Sequence, residues 1–205
     1  ATLTRRMALS ALVGASLLTA LPAMAIGRLT DVRVVNRDSG EVLQMYRHKG
    51  DVWVAGEPGA RYAVELQNAS RGRLLNVVSV DGVNVVSGET AAPFQSGYVV
   101  AHGTSLSIAG WRKSLEKVAA FYFTDPANAY AARTGRPDNV GVIGVALFRR
   151  KSEPVAALEA PAAAARSGSA ADAAAPQAAE KRLGTGHGRN HSAPAHYVEF
   201  ERESS

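Results

Sequence analysis

Three histidines near the end of the sequence have the types and spacing of metal ligands. His187, His191 and His196 form the one histidine cluster of the chain. A four-residue spacing would place His187 and His191 on one face of a helix, where both could bind one metal ion. The glycines on either side of His187, and Pro194 further on, disfavour a helix there. We therefore predict solvated histidines that at most capture a transition metal weakly, and no resident metal or other cofactor.

An aromatic and basic pair is the second candidate site. Trp111 and Arg112 end a predicted strand, where the tryptophan ring could stack on a sugar, and Tyr98 or Trp53 could extend such a glycan-binding surface. The alternative is a tryptophan of the core or its rim, with an arginine packed against its face. We favour this second interpretation, and Trp111, Arg112 and Tyr98 stand as the candidate binding residues.

The sequence contains no motif that identifies an enzyme. A Gly-x-Ser-x-Gly nucleophile elbow is absent, and the glycine-rich residues 184–188 neither follow a predicted strand nor open a helix, as a phosphate-binding loop would. Because there are no cysteines, thiol catalysis, cysteine metal sites and disulfides are excluded. A hydrolase would need His48 or His102 beside a carboxylate, which no spacing indicates. We assign no catalytic residues.

The charge distribution argues against a nucleic-acid partner. The 205 residues include 23 Lys and Arg against 18 Asp and Glu, a formal net charge of +5. Of this charge, +2 belongs to residues 1–25, +4 to residues 26–150 and −1 to residues 151–205. The basic residues are mostly isolated, whereas nucleic-acid binding needs clusters of them interleaved with aromatic side chains. We predict a solvated surface with at most a weak attraction to anionic envelope polymers.

Residues 1–25 have the pattern of a secretory signal peptide. Two arginines precede an apolar stretch, residues 7–21, and Ala23-Met24-Ala25 is a small-x-small cleavage site. The stretch is shorter than the ~20 residues of a membrane-spanning helix. We therefore predict a periplasmic or secreted protein with no transmembrane segment in the mature chain. Export would follow the general secretory route or, given the adjacent arginines, the twin-arginine route.

Residues 26–151 are predicted to form an all-β domain, an antiparallel β-sandwich with one short helix. Short β-rich runs alternate with turn signals at intervals of about 8–12 residues, which is typical of a sandwich. In one run Tyr62, Val64 and Leu66 alternate with smaller or polar residues, the period of a half-buried strand. The pattern lacks the long crossover helices that a parallel sheet needs.

Two pairs of runs are predicted to form hairpins. Asp81 and the glycine after it lie between residues 74–80 and 83–86, and an Asp-Gly turn between β-branched runs is a strong hairpin signal because the turn needs positive φ. Residues 97–100 and 105–108 are predicted to pair around a second glycine turn.

The most apolar runs are residues 118–124 and 140–148, and both are predicted at the centre of a sheet, buried on two faces. Residues 126–133 are the one predicted helix. Asp125 would be its N-cap and Gly135 its C-terminal stop.

The last part of the sequence divides into a linker and a tail. Residues 152–182 are predicted to be an Ala- and Pro-rich linker, since a 25-residue stretch within them contains 14 Ala and few large apolar side chains. Residues 183–205 form a Gly- and His-containing C-terminal tail. Its Tyr197 and Phe200 indicate that the tail docks on the domain, with residues 197–201 as a strand added to a free sheet edge.

Six segments combine into a distinctive pattern, which consists of residues 79–85, 97–100, 110–114, 118–121, 130–137 and 139–146. Together they resemble an uncharacterised family of exported bacterial β-rich proteins. The resemblance covers about residues 28–150, and the tail segments 183–188 and 200–202 fit the same pattern. It implies export and a short or truncated member of the family. It supplies no activity and no site residues.

These observations predict a non-catalytic exported β-sandwich protein with a protein-interaction or cell-envelope structural role. The expected partner is an envelope protein or a glycan. A glycan-binding module and a hydrolase acting on envelope material are the two alternatives.

Overall fold

Short runs of valine, leucine and aromatic residues form antiparallel strands throughout the described part of the chain. The computed structural model describes residues 25–26, 29–151 and 182–203. The predicted signal peptide, apart from Ala25, and the predicted linker, apart from Arg182, lie outside these residues. None of the described helices is long and apolar enough to cross a membrane.

Strands dominate the structure, and the elements are numbered here in chain order. The strands are β1 (Ala25–Ile26), β2 (Thr30–Asn36), β3 (Met45–His48), β4 (Asp51–Val54), β5 (Arg61–Asn68), β6 (Leu74–Val80), β7 (Val83–Asn84), β8 (Tyr98–Val100), β9 (Ser105–Ile108), β10 (Gly110–Arg112), β11 (Lys117–Thr124), β12 (Ile143–Arg149) and β13 (Gly184–Ser192). One helical turn, α1 (Tyr130–Arg133), lies between two 3-10 turns, Pro126–Asn128 and Pro137–Asn139.

The strands form two antiparallel sheets and a separate hairpin. The larger sheet has seven strands in the order β1-β2-β5-β11-β10, with β13 added to β11 and β9 to β5. The smaller sheet has four strands in the order β12-β6-β7, with β8 added to β6, and β3 pairs with β4 alone. One hydrophobic core draws residues from both sheets. The structure therefore confirms the predicted all-β, sandwich-like fold.

The core forms where side chains of the two sheets meet. In the larger sheet, Tyr62, Val64 and Leu66 of β5 are each at most 1% exposed, which confirms the alternation seen in the sequence. The Phe121 ring of β11 stacks on Tyr62 with ring centroids 5.3 Å apart. Val78 of β6 is fully buried in the smaller sheet. Removing such side chains from water is the main force that holds the two sheets together.

The predicted hairpin at Asp81 is confirmed. β6 pairs with β7, and Val80 lies opposite Val83. Asp81 and Gly82 have φ angles of 53° and 71°, the left-handed backbone that aspartate tolerates and glycine adopts freely. The turn is not on the surface, because Asp81 is only 1% exposed.

The second predicted hairpin is wrong. β8 pairs with β6, where Val100 lies opposite Leu74, and β9 pairs with β5, where Ile108 lies opposite Val64. The turn at Gly103 therefore carries the chain from the smaller sheet to the larger one. Turn residues and strand propensity are local properties, whereas the edge that a strand joins depends on partners elsewhere in the chain.

Of the two apolar runs predicted at a sheet centre, one is central and the other forms an edge. β11 is bordered by β13 on one side and by β10 and β5 on the other. Among the described strands β12 pairs with β6 alone, the tail backbone hydrogen-bonds only its last residue, where the Glu203 N–H donates to the Arg149 carbonyl, and most residues of β12 are only half-buried. The prediction was therefore wrong for β12. Its apolar residues Ile143 and Val145 line a cavity instead.

The predicted helix over residues 126–133 is divided into two short pieces. The 3-10 turn is followed by Ala129, whose extended backbone (φ −59°, ψ 144°) separates it from α1. Asp125 makes no side-chain capping hydrogen bond, so the predicted N-cap is not formed. Gly135, with a φ angle of 78°, follows α1 as a stop residue should.

The tail docks by adding a strand, but through other residues than those predicted. β13 runs antiparallel to β11 along the whole length of β11, whereas residues 197–201 form no strand. Gly186 of β13 lies against the Tyr122 ring, where an added Cβ would be 2.0 Å from the ring Cζ. The glycine-rich segment has the composition of a loop but forms a strand here. The Tyr122 ring occupies the space that a side chain at Gly186 would need.

Candidate functional site

A cavity of about 520 Å³ lies between the two sheets and the β3–β4 hairpin. This volume is within the range of roughly 300–1,000 Å³ that is usual for small-molecule sites. The cavity wall is mostly apolar and is contributed by β2, β3, β4, β11 and β12. Its main apolar residues are Val34, Met45, Val54, Phe123, Ile143 and Val145.

The inner end of the cavity is polar and fully engaged in hydrogen bonds. Asp81 accepts hydrogen bonds from the backbone N–H groups of Thr185, at 2.6 Å, and Gly141, at 2.9 Å. The Thr185 hydroxyl lies 3.4 Å from the same carboxyl group and shares a 2.7 Å hydrogen bond with the Tyr62 hydroxyl. This inner polar cluster of Asp81, Thr185 and Tyr62 links the β6–β7 turn, β13 and β5.

Burial dominates the electrostatics of the inner polar cluster. Desolvation raises the pKa of the Asp81 carboxyl above its usual value, although the N–H donors of Thr185 and Gly141 oppose this shift. Burial likewise raises the pKa of the Tyr62 hydroxyl. Each group is held by a hydrogen-bond partner within the protein.

The other end of the cavity is partly open to solvent and carries a tryptophan and an arginine. Val52, next to Trp53 in β4, is 42% exposed, and both residues line the cavity. The guanidinium carbon of Arg182 lies 5.4 Å from the centroid of the Trp53 ring, a cation–π distance. The Trp53 Nε1 is buried without a hydrogen-bond partner among the described residues. We call Trp53 and Arg182 the cavity rim.

Trp111 is a core residue rather than a surface aromatic. Its side chain is 2% exposed and packs edge-on against Phe121, with ring centroids 4.7 Å apart. Tyr130 and His187 cover it further, at centroid distances of 5.1 and 6.1 Å. The ring therefore has no open face on which a sugar could stack.

Arg112 and Tyr98 form a structural contact. The Arg112 Nε donates to the Tyr98 hydroxyl at 2.9 Å, and the guanidinium carbon lies 5.6 Å from the Tyr98 ring centroid. The Arg112 Nη1 donates to the backbone carbonyl of Ala193 at 2.6 Å. Arg112 thus ties the end of β13 to β8 and β10, and it packs on the ring of Tyr98 rather than on the face of Trp111 as the sequence interpretation had it.

The three tail histidines are not brought together. His187 pairs with Phe121 and His191 with Val118. These partners are three residues apart on one strand, so the two histidines lie on opposite faces of the sheet. His196 follows β13 and is exposed. Among the described residues no group of three histidine, aspartate or glutamate side chains could hold a metal ion.

The two β13 histidines have contacts of different kinds. His187 stacks on Trp111, and the Arg37 Nη1 donates to the His191 Nε2 at 3.2 Å. Burial lowers the pKa of both imidazoles, and nearby positive charges lower it further, from Lys113 at His187 and from Arg37 at His191. Both rings are therefore expected to be neutral at physiological pH.

The histidines that a hydrolase would need lie on separate elements. His48 lies opposite Asp51 in the β3–β4 hairpin, and both are exposed, with no hydrogen bond between their side chains in the structure. His102 lies in the β8–β9 turn, where its Nδ1 hydrogen-bonds the Ser70 carbonyl oxygen. Neither histidine lines the cavity.

The residues that form the cavity are not among the candidates that the sequence provides. Asp81 reads as a turn residue, and no local signal connects it with Thr185, which lies 104 positions later. Trp53 was considered only as part of a sugar-binding surface, and Arg182 falls at the end of the predicted linker. Thr185, a polar residue within the glycine-rich residues 184–188, is the one sequence feature that indicates packing of this segment against the domain.

No protein-family model, curated protein or solved structure matches the chain. The resemblance to exported bacterial proteins therefore stays a prediction. The function has to be inferred from the geometry of the cavity.

Proposed function

We propose that this chain is a non-catalytic exported binding protein that holds a small, largely apolar ligand in the cavity between its sheets. The cavity is the observation that supports this proposal. It has a volume of about 520 Å³, an apolar wall and one partly open end. Protein interiors are close-packed, and a void of this size gives up many packing contacts. A fold that keeps such a space is typical of a ligand-binding protein.

The chemistry of the cavity wall favours hydrocarbon over sugar. Sugar hydroxyls need hydrogen-bonding partners when they are buried, but ten of the 17 lining residues in the described part of the chain are alanine, valine, leucine, isoleucine, methionine or phenylalanine. The polar groups of the inner end are already bonded to one another. The same arrangement supports a non-catalytic role, because Asp81 and Tyr62 are buried and their hydrogen bonds are made within the protein.

Binding of a neutral fluorescent probe tests this function. We expect N-phenyl-1-naphthylamine to bind the full chain with a saturable rise in emission, because its rings leave water for the apolar cavity. Val145→Trp adds a large side chain to the cavity wall and should weaken probe binding at least about tenfold. The measurement is a fluorescence titration at constant protein concentration.

Val142→Trp is the matched control for this titration. Val142 immediately precedes β12 but is 41% exposed and does not line the cavity, so probe binding should be unchanged. Absence of saturable binding to the native protein would remove the proposed function. Equal binding by both variants would show that the probe binds elsewhere.

A protein-interaction role is a second candidate, supported by two exposed aromatic side chains. Phe94 is 81% and Tyr197 is 88% exposed, and aromatic residues are enriched at the centres of protein interfaces. Arg202 donates to the carbonyls of Pro93 and Gln95, on either side of Phe94. An envelope protein retained by the native chain should be lost from the double variant Phe94→Ala/Tyr197→Ala in a pull-down. Retention by both proteins would contradict this role.

A further inference from the structure

The cavity rim carries a positive charge that the described residues leave without a charged partner. Arg182 is the one basic residue among the described residues that line the cavity. It contacts the Trp53 ring, and no carboxylate in residues 29–151 or 182–203 forms an ion pair with it. Its guanidinium group has five N–H donors in a planar fork that matches the geometry of a carboxylate or phosphate.

A second unsatisfied donor lies on the same rim. The Trp53 Nε1 is buried and has no acceptor in the described part of the chain. A buried N–H without a partner is costly, and such groups in folded proteins are normally paired with protein, water or ligand. The Trp53 Nε1 is itself buried, so Arg182 is the rim donor that a bound group can reach.

The inner end of the cavity offers no comparable place for a charged group. Asp81 there is negative when ionised, and its oxygens already accept two backbone N–H bonds. An anion placed near Asp81 would be repelled and would find no free donor. The two charged groups of the cavity wall therefore differ: Arg182 has no carboxylate partner among the described residues, whereas the Asp81 carboxyl group is saturated with N–H donors.

We propose that the ligand is a single-chain amphiphile whose anionic head, a carboxylate or a phosphate, binds Arg182 beside the Trp53 ring at the cavity rim. Its hydrocarbon chain lies along the apolar wall towards the inner polar cluster. This proposal rests on the proposed function and adds the chemical class of the ligand and its orientation.

Three probes of equal chain length test the head group. Dodecanoate, dodecyl phosphate and dodecanol are titrated below their micelle-forming concentrations into the full chain, with displacement of N-phenyl-1-naphthylamine as the readout. We expect at least one of the two anions to displace the dye at a concentration at least about tenfold lower than dodecanol. The order of the two anions distinguishes a carboxylate head from a phosphate head.

Two variants of Arg182 and one control complete the experiment. Arg182→Gln should bring the affinities of anion and alcohol close together without weakening dodecanol binding, and Arg182→Lys should keep part of the preference. Arg189→Gln, an exposed residue of β13 outside the cavity, should behave like the native protein. Far-UV circular dichroism and thermal unfolding check that each variant is folded.

The outcomes separate the two proposals. Equal affinities of anion and alcohol in the native protein, or an anion preference that persists in Arg182→Gln, would overturn the assignment of the head group while leaving an apolar binding site. Failure of the dye and all three probes to bind would remove the proposed function itself. Such a result would fit a cavity filled by a segment of this chain.

Discussion

Replacing Gly110 by alanine is expected to destabilise the protein by at least about 3 kcal/mol. Gly110 lies opposite Ala120 where β10 pairs with β11. A Cβ on Gly110 would lie 2.1 Å from the Ala119 carbonyl oxygen and 2.6 Å from its carbonyl carbon. These are backbone atoms, so no change of rotamer relieves the contact and the two strands have to separate.

This strand pair also holds the core around the candidate tryptophan. β10 places Trp111 against Phe121, and separation of β10 from β11 would loosen that contact as well. For a domain of this size, 1 kcal/mol corresponds to a shift of roughly 2–4 °C in Tm. We therefore expect thermal unfolding of Gly110→Ala to occur about 10 °C below that of the native protein, with a parallel fall in the urea midpoint.

Gly72→Ala is the matched control for Gly110→Ala. A Cβ on Gly72 would meet no atom within 4 Å, and its backbone is outside the left-handed region. Its stability should change by no more than about 0.5 kcal/mol. Similar unfolding midpoints for the two variants would show that the β10–β11 contact tolerates a methyl group.

The second large effect is expected from Asp81→Asn, which should cost about 2–3 kcal/mol at neutral pH. Asparagine keeps the size of aspartate and tolerates the positive φ of this turn. It replaces one acceptor oxygen by an NH₂ group, however, and this group would face one of the backbone N–H donors of Thr185 and Gly141. One buried donor would then lose its partner, and the contact between the β6–β7 turn and β13 would weaken.

The pH dependence of this difference follows from the direction of the pKa shift. Burial raises the pKa of Asp81 in the folded protein, while the unfolded chain has the usual value of about 3.9. Between these two values the folded state binds more protons than the unfolded state, so stability due to Asp81 falls as pH rises. The contribution is complete below about pH 4 and is lost as pH rises through the folded-state pKa.

Urea unfolding of the native protein and of Asp81→Asn is measured from about pH 4 to neutral pH. The difference between their free energies of unfolding gives the contribution of the Asp81 carboxyl group to stability. The stability difference between the two proteins should be largest near pH 4 and narrow towards neutral pH. Asp138→Asn, an exposed aspartate of the 3-10 turn before β12, should match the native protein within about 0.5 kcal/mol throughout. A difference that widens as pH rises would mean that the N–H donors outweigh burial and lower the pKa of Asp81.

Much of the local structure could be predicted from residue types alone. The Asp81 turn forms because aspartate and glycine accept positive φ more readily than other residues. The alternation of Tyr62, Val64 and Leu66 reflects a strand with one face on the core. The all-β class follows from many such runs, and Trp111 is the core residue that the favoured interpretation made it, although Arg112 packs on Tyr98 instead.

The pairing of strands could not be predicted in the same way. The runs that form β8 and β9 are neighbours in sequence but join different sheets. β13 contains no run of large apolar residues, since its burial comes from Tyr122, Trp111 and Tyr130 of other elements. A sequence window around residues 184–192 contains none of these partners, so strand periodicity is absent there.

The sequence by itself determined where most of the strands and tight turns before residue 150 occur, because those preferences depend on each residue and its nearest neighbours. The tertiary structure alone decided which edges pair, that Asp81 is buried beneath Thr185, and that a cavity remains between the sheets. It also decided that Trp53 and Arg182 meet at the rim of that cavity. These features depend on contacts between residues that are far apart in the sequence. The free energies of burial, strand pairing and charge at such contacts exceed the local conformational preferences of the residues.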